Sequence, residues 1–267
     1  MSTSAQWIPE GTDRAHASAA RAYDYLLGGS HHFEADRALG DQVLSVLPAN
    51  LMARQNRELL GRMVRHLTGA GVRQFVELGS GLPVMGHVHE IAAASGHDCR
   101  VVYVDNDPAT VGHAELLLRD VPGTAVVGAD VRDPAAVLRA DATRELIDFT
   151  EPVALLMLGV TQFLHDEDDP WGLTARYRAA LPAGSHLALS CFTWDNDPQT
   201  MRRTVEMFRE SGRTPIVPRT GDEVRRLIGD FELLDPGLVY APRWRPDAAS
   251  GSETERSNLY AALARKR

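Results

Sequence analysis

The chain has little of what would mark a secreted, membrane-bound or nucleic-acid-binding protein. Only Cys99 and Cys191 occur in 267 residues, too few for a disulfide scaffold and without metal-ligand spacing, which suits a reducing cytoplasm. No stretch approaches the ~20 consecutive apolar residues of a membrane helix. Met1 to Glu10 lacks the basic and apolar regions of a signal peptide, so a cytoplasmic protein without a membrane partner is expected. Positive charge is also scarce: 28 Lys and Arg against 36 Asp and Glu give a net charge of −8. Such a surface has no general attraction for nucleic acid, and a small-molecule partner is favoured. The histidines are dispersed without ligand spacing, and the acidic run Asp166, Glu167, Asp168, Asp169 reads as a solvated loop and helix start, so no metal is expected.

What is present is an alternation of apolar runs and helix-length segments from Arg73 onward, the pattern of a sheet covered on both faces. Strands are predicted over 73–78, 101–104, 124–128, 153–158, 186–192, 231–240 and 258–264. The last two have no helix between them, only a polar loop around 246–254, which predicts an antiparallel hairpin ending an otherwise parallel sheet. Ahead of the sheet, helices are predicted over 14–27, 33–47 and 50–67, the first closed by Gly28 and Gly29. The expected organisation is an α/β chain with a helical N-terminal cap over 1–70. A seven-stranded, mostly parallel Rossmann-like domain over 71–267 follows, the topology of a class I methyltransferase.

In such a sheet the ligand lies outside the carboxyl ends of the strands. The run Phe75 to Leu78 ends in Gly79, Ser80 and Gly81, where the backbone can turn and approach a ligand closely. The next run ends in Asp105 and Asn106, and the Asp105 carboxylate can accept both hydroxyls of a ribose. A dinucleotide fingerprint needs a third glycine where this chain has Val84, so a pyrophosphate site, and with it a nicotinamide-dependent oxidoreductase, is disfavoured. Glu77 would repel phosphates yet suits an ammonium group. S-adenosylmethionine, which carries a sulfonium, an ammonium and a ribose, is the expected cofactor. After the third strand, Asp130 can accept from the adenine amine and the Val131 amide can donate to a ring nitrogen, while Asp133 reads as a helix cap. After the fourth, Gly159 would let backbone carbonyls approach the sulfonium, and Gln162 and His165 can orient a nucleophile. Tyr23 is a third candidate for the catalytic work. Arg21, beside the Gly28-Gly29 break, can pair with the donor's carboxylate.

The segment Ala20-Arg21-Ala22-Tyr23-Asp24-Tyr25-Leu26-Leu27-Gly28-Gly29, followed by Phe33, Asp36 and Arg37, resembles the N-terminal signature of a bacterial family of S-adenosylmethionine-dependent methyltransferases with unassigned substrates. The similarity continues through Arg73-Gln74-Phe75, Gly79 to Pro83, His89-Glu90, Val102 to Pro108, Asp130 to Pro134 and Gly184-Ser185. It implies S-adenosylmethionine at Glu77, Gly79, Gly81, Asp105, Asn106 and Asp130, with the helical cap closing over it. Members of that family commonly have Lys and Asn where this chain has Ser30 and His32, and His in place of Gln162 and of Cys191. The expected activity is methyl transfer to an oxygen or nitrogen of a small molecule, the alternative being a non-catalytic S-adenosylmethionine-binding protein on the same fold.

Overall fold

The computed structural model describes residues 12–83, 86–210, 216–247 and 257–267. The first helix, α1 (Ala19–Leu26), begins later than the sequence pattern predicts. The reason is local: the Asp13 carboxylate takes the amide hydrogens of Ala15 and His16, turning the chain before a helix can start. Gly28, at φ +82°, ends it. Next come α2 (Glu34–Leu44) and α3 (Ala49–Gly69). One buried acid ties α1 to α2. Asp36 accepts from the Ser18 amide at 2.8 Å, the Phe33 amide at 2.7 Å and Arg21 Nε at 2.8 Å.

The sheet strands are β1 (Gln74–Leu78), β2 (Arg100–Asp105), β3 (Thr124–Gly128), β4 (Ala154–Leu158) and β5 (His186–Phe192), then the short β6 (Glu232–Leu233) and β7 (Val239–Tyr240), and last β8 (Leu259–Arg265). Their order is β3-β2-β1-β4-β5-β8-β6, with β7 also paired to β8. β1 to β5 run parallel, and β8 is antiparallel to its neighbours. The described residues thus hold eight strands rather than seven. The predicted run 231–240 splits where Pro236 has no N–H to give and Gly237 turns back to the Leu234 carbonyl. Part of the predicted loop, 248–256, lies outside the described residues.

β1 and β4 are buried almost throughout, and their alternate residues divide between two cores. Phe75 and Leu156 join α3 and α4 (Val88–Ala94) on one face, and Val76, Leu78 and Leu155 join the other. Period-two alternation puts Glu77 on the same face as Phe75, beneath α3. The stripe Leu59, Met63 and Leu67 of α3 is fully buried, and this helix packs on β4, β8 and α4. α3 is therefore one of the layers covering the sheet, while α1 and α2 pack on one another beyond it.

The connecting helices start where the sequence caps them. Asp107 accepts from the Thr110 amide at the head of α5 (Pro108–Leu118), and Asp133 from the Ala136 amide at α6 (Pro134–Arg139). α7 (Asp141–Leu146) precedes β4. α8 (Pro170–Ala180) is capped by Asp169, and α9 (Pro198–Glu210) and α10 (Gly221–Ile228) separate β5 from the antiparallel strands. No helix among the described residues is long and apolar enough to cross a membrane.

Candidate functional site

The strand order reverses between β1 and β4, and a cavity of about 530 Å³ opens at their carboxyl ends. Glu77, Gly79, Ser80, Gly81, Asp105, Asn106, Asp130, Val131 and Gly159 all line it. Gly79 and Gly81 have φ of +66° and +65°. A Cβ on Gly79 would stand 2.7 Å from Val160 Cγ2, so both conformation and space require glycine there. The turn is tied to the next strand: the Gly81 amide donates to Asp105 Oδ2 at 2.9 Å, and the Asp107 amide to Oδ1 at 3.0 Å. Burial raises the Asp105 carboxyl above its ordinary range, with these amide bonds pulling the other way.

Glu77 is 6% exposed, and its Oε2 has no hydrogen-bond partner. Burial pushes its pKa up to about 7, the nearby Arg57 charge opposing the rise and Asp105 adding to it. Arg57, on α3, lines the same cavity with its Nε buried and unpartnered. Its guanidinium lies 5.8 Å from the centre of the Tyr23 ring. A buried carboxylate and a half-buried arginine, each with an atom that has no partner, can hold the ammonium and carboxylate of an amino acid.

Asp130 is more heavily engaged than the sequence suggests. It accepts from Arg132 Nε at 2.9 Å, Arg132 Nη2 at 2.6 Å and Asn106 Nδ2 at 3.3 Å. The Arg132 bonds hold its pKa down at about 2. An adenine amine would have to share this carboxylate with Asn106 or Arg132.

Arg21 is a correction. It does not line the cavity; the buried guanidinium is committed to Asp36 and to the carbonyls of Asp13 and His16. His165 is a second correction. It too lies off the cavity, at a short 3₁₀ turn (Asp166–Asp168), with its amide donating to Asp168 Oδ2 at 2.8 Å. Tyr23 and Gln162 do line the cavity. The Tyr23 hydroxyl donates to the Ala53 carbonyl at 3.0 Å and accepts from Asn56 Nδ2 at 3.3 Å. Burial raises its pKa, which opposes a role as base. Among the positions that depart from the family pattern, Cys191 belongs to the core on the opposite face, Ser30 is exposed, and His32 binds the Gly29 carbonyl. Only Gln162 of these four reaches the cavity.

Three members of the acidic run have protein partners: Asp166 pairs with Arg219, Asp168 takes the His165 amide and Asp169 caps α8. Among the described residues, no group of three His, Cys, Asp or Glu could hold a metal ion.

Sequence reasoning missed Asn56 and Arg57. Their signal was there: both interrupt an α3 stripe otherwise built from Met52, Ala53, Leu59, Leu60 and Met63. It also missed the wall contributed by Phe192, Phe208 and Ile216, which are adjacent only in the folded chain.

A family model described as S-adenosyl methyltransferase matches residues 5–267. No curated protein matches the chain significantly. Among solved structures, a DUF574 family protein from Streptomyces avermitilis is 39% identical, with a TM-score of 0.90 over 96% of this chain and 99% of that one. A candidate methyltransferase from Thermobifida fusca is also 39% identical, with a TM-score of 0.90 over 98% of this chain and 99% of that one. Human N-acetylserotonin methyltransferase, crystallised with S-adenosylmethionine, shares the fold at 14% identity and a TM-score of 0.50, over 86% of this chain and 57% of that one. Matched along nearly its whole length, the chain belongs to the S-adenosyl methyltransferase family and is a methyltransferase that uses S-adenosylmethionine.

Proposed function

We propose that this enzyme, working in the cytoplasm, transfers the methyl group of S-adenosylmethionine to an oxygen or nitrogen of a small molecule. The observation that carries the reading is the cavity itself. It joins the glycine turn and Asp105 at the sheet edge to a space walled by α1, α2 and α3. The donor supplies an electrophilic methyl group: its sulfur–carbon bond breaks as the new oxygen– or nitrogen–carbon bond forms, sulfur keeps the electron pair, and the acceptor's proton leaves.

The protein's own contribution is positioning, which for in-line transfer supplies a large part of the rate. Asp105 would accept from the ribose, and Glu77 would face the ammonium. Arg57 takes the carboxylate role that the sequence suggested for Arg21, since it lines the cavity with an uncommitted Nε. We place the cap boundary at Pro48 rather than near residue 70, because α3 is buried against the sheet and α1 and α2 are held to each other by Asp36. The nicotinamide and non-catalytic alternatives give way to the family membership.

Calorimetry with S-adenosylmethionine and with NAD, together with tritium transfer from labelled S-adenosylmethionine to small molecules of a cell extract, tests the reading. Donor binding with label recovered only in macromolecules would overturn the small-molecule acceptor.

A pH dependence follows from Glu77. Its folded pKa is raised from 4.5 to about 7, so the folded protein holds a proton there that the unfolded chain releases. Its contribution to stability is full below about 4.5 and declines as pH rises through about 7. Donor affinity should run oppositely, because an ammonium favours the ionised carboxylate. Calorimetric affinity should improve as pH rises towards 7 and then level off, and Glu77→Gln should flatten the profile. Identical pH profiles for the two proteins would remove Glu77 from the donor site.

A further inference from the structure

Resting on the methyl-transfer reading, we propose that the acceptor is an uncharged aromatic molecule with an acidic O–H or N–H. It occupies the cap side of the cavity and donates that hydrogen to Gln162 Oε1.

Charge divides the cavity into two unlike parts. Every charged side chain that lines it among the described residues, Arg57, Glu77, Asp105, Asp107, Asp130 and Arg132, belongs to the part we assign to the donor, from its amino-acid end at Glu77 and Arg57 to its adenine end at Asp130 and Arg132. The remaining wall is uncharged and largely apolar, with Leu39, Val43, Met52 and Ile216 together with Phe192 and Phe208. An anionic acceptor would lose its hydration there without gaining a cation from the described residues. Phenylalanine side chains offer faces and edges to an aromatic ring instead.

Polar satisfaction then singles out one atom. Three of the residues lining the cavity each carry a buried side-chain atom without a hydrogen-bond partner: Arg57 Nε, Glu77 Oε2 and Gln162 Oε1. The first two flank the donor's amino-acid end. The third belongs to the segment after β4. Gln162 is 4% exposed, and its Nε2 donates to the Gly159 carbonyl at 2.7 Å. That bond fixes the amide's orientation, because turning it over would set two carbonyl oxygens against each other. What Gln162 presents is therefore an acceptor, and the ligand group that completes it must be a donor. Two other polar residues of the lining already have protein partners. Asn56 is committed to Ser190 and Tyr23, and Thr204 Oγ1 donates to the Thr200 carbonyl.

An amide oxygen can align a nucleophile but is not a useful base. The Tyr23 phenol is engaged with Ala53, and His165 lies off the cavity. The acceptor must therefore release its proton to water without a strong base, as a phenol does far more readily than an aliphatic alcohol.

The test uses protein saturated with S-adenosylhomocysteine, that binding being measured first by calorimetry. 1-Naphthol, 1-naphthoate and naphthalene are then titrated in by fluorescence. Naphthol should bind about tenfold more tightly than either, naphthalene lacking the hydrogen bond and naphthoate carrying an unwelcome charge. Gln162→Leu should bring naphthol down to the affinity of naphthalene. Leu39→Arg, which sets a cation in the apolar wall, should reverse the order of naphthol and naphthoate. Failure to bind S-adenosylhomocysteine would overturn the donor site and this proposal with it. Normal S-adenosylhomocysteine binding with naphthoate equal to naphthol, or with discrimination surviving Gln162→Leu, would overturn this proposal alone.

Discussion

Asp36→Ala should destabilise the protein by about 3–5 kcal/mol, the range for breaking one side of a buried ion pair. Asp36 is fully buried and accepts from two amides and from Arg21 Nε. Its removal leaves the Arg21 guanidinium, 3% exposed, with the Asp13 and His16 carbonyls, the face of the Phe33 ring and a 3.6 Å approach to Asp107. The damage should begin in α1 and α2, which this carboxylate joins. Urea denaturation would give the global loss, and hydrogen exchange over 19–44 would show whether the cap opens ahead of the sheet. Pairing Asp36→Leu with Arg21→Met should recover much of the loss, because no uncompensated charge then remains inside. A loss below about 1 kcal/mol, the value of an exposed pair, together with unchanged exchange, would mean that Asp36 does not hold the cap.

Asp105→Ala should weaken S-adenosylmethionine by about 1–3 kcal/mol, from the loss of charge-assisted hydrogen bonds to the ribose. The Gly81 and Asp107 amides would also lose their acceptor, loosening the turn that brings the glycine backbone to the ligand. Asp105→Asn should fall between the two, since one amide oxygen can still accept from a single N–H. Calorimetry at fixed pH measures all three proteins. Unchanged affinity in the Ala variant would exclude Asp105 from the site.

The donor end of the cavity was legible because it is written at strand ends. Gly79, Gly81 and Asp105 lie directly after apolar runs, and an open parallel sheet gathers such positions along one edge whatever the details of packing. Arg21 was misread for a related reason. Its neighbours in sequence suggested a ligand group, yet its partner Asp36 is 15 residues away on another helix. His165 failed similarly, since proximity to the end of β4 does not say which way a side chain leaves the turn.

Composition, the alternation of runs and the glycine spacing by themselves determined the parallel sheet, the antiparallel end and the glycine turn at the sheet edge, because these depend on local periodicity and chain order. Only the tertiary structure decided that Arg57 rather than Arg21 lines the cavity with Glu77, that Cys191 belongs to the core on the opposite face, and that α2, α3, β5 and α9 bring apolar side chains to the cavity that Gln162 also lines. Those are contacts between segments far apart in the chain. They are set by which faces the helices must bury against the sheet and one another, and no window of sequence contains both partners.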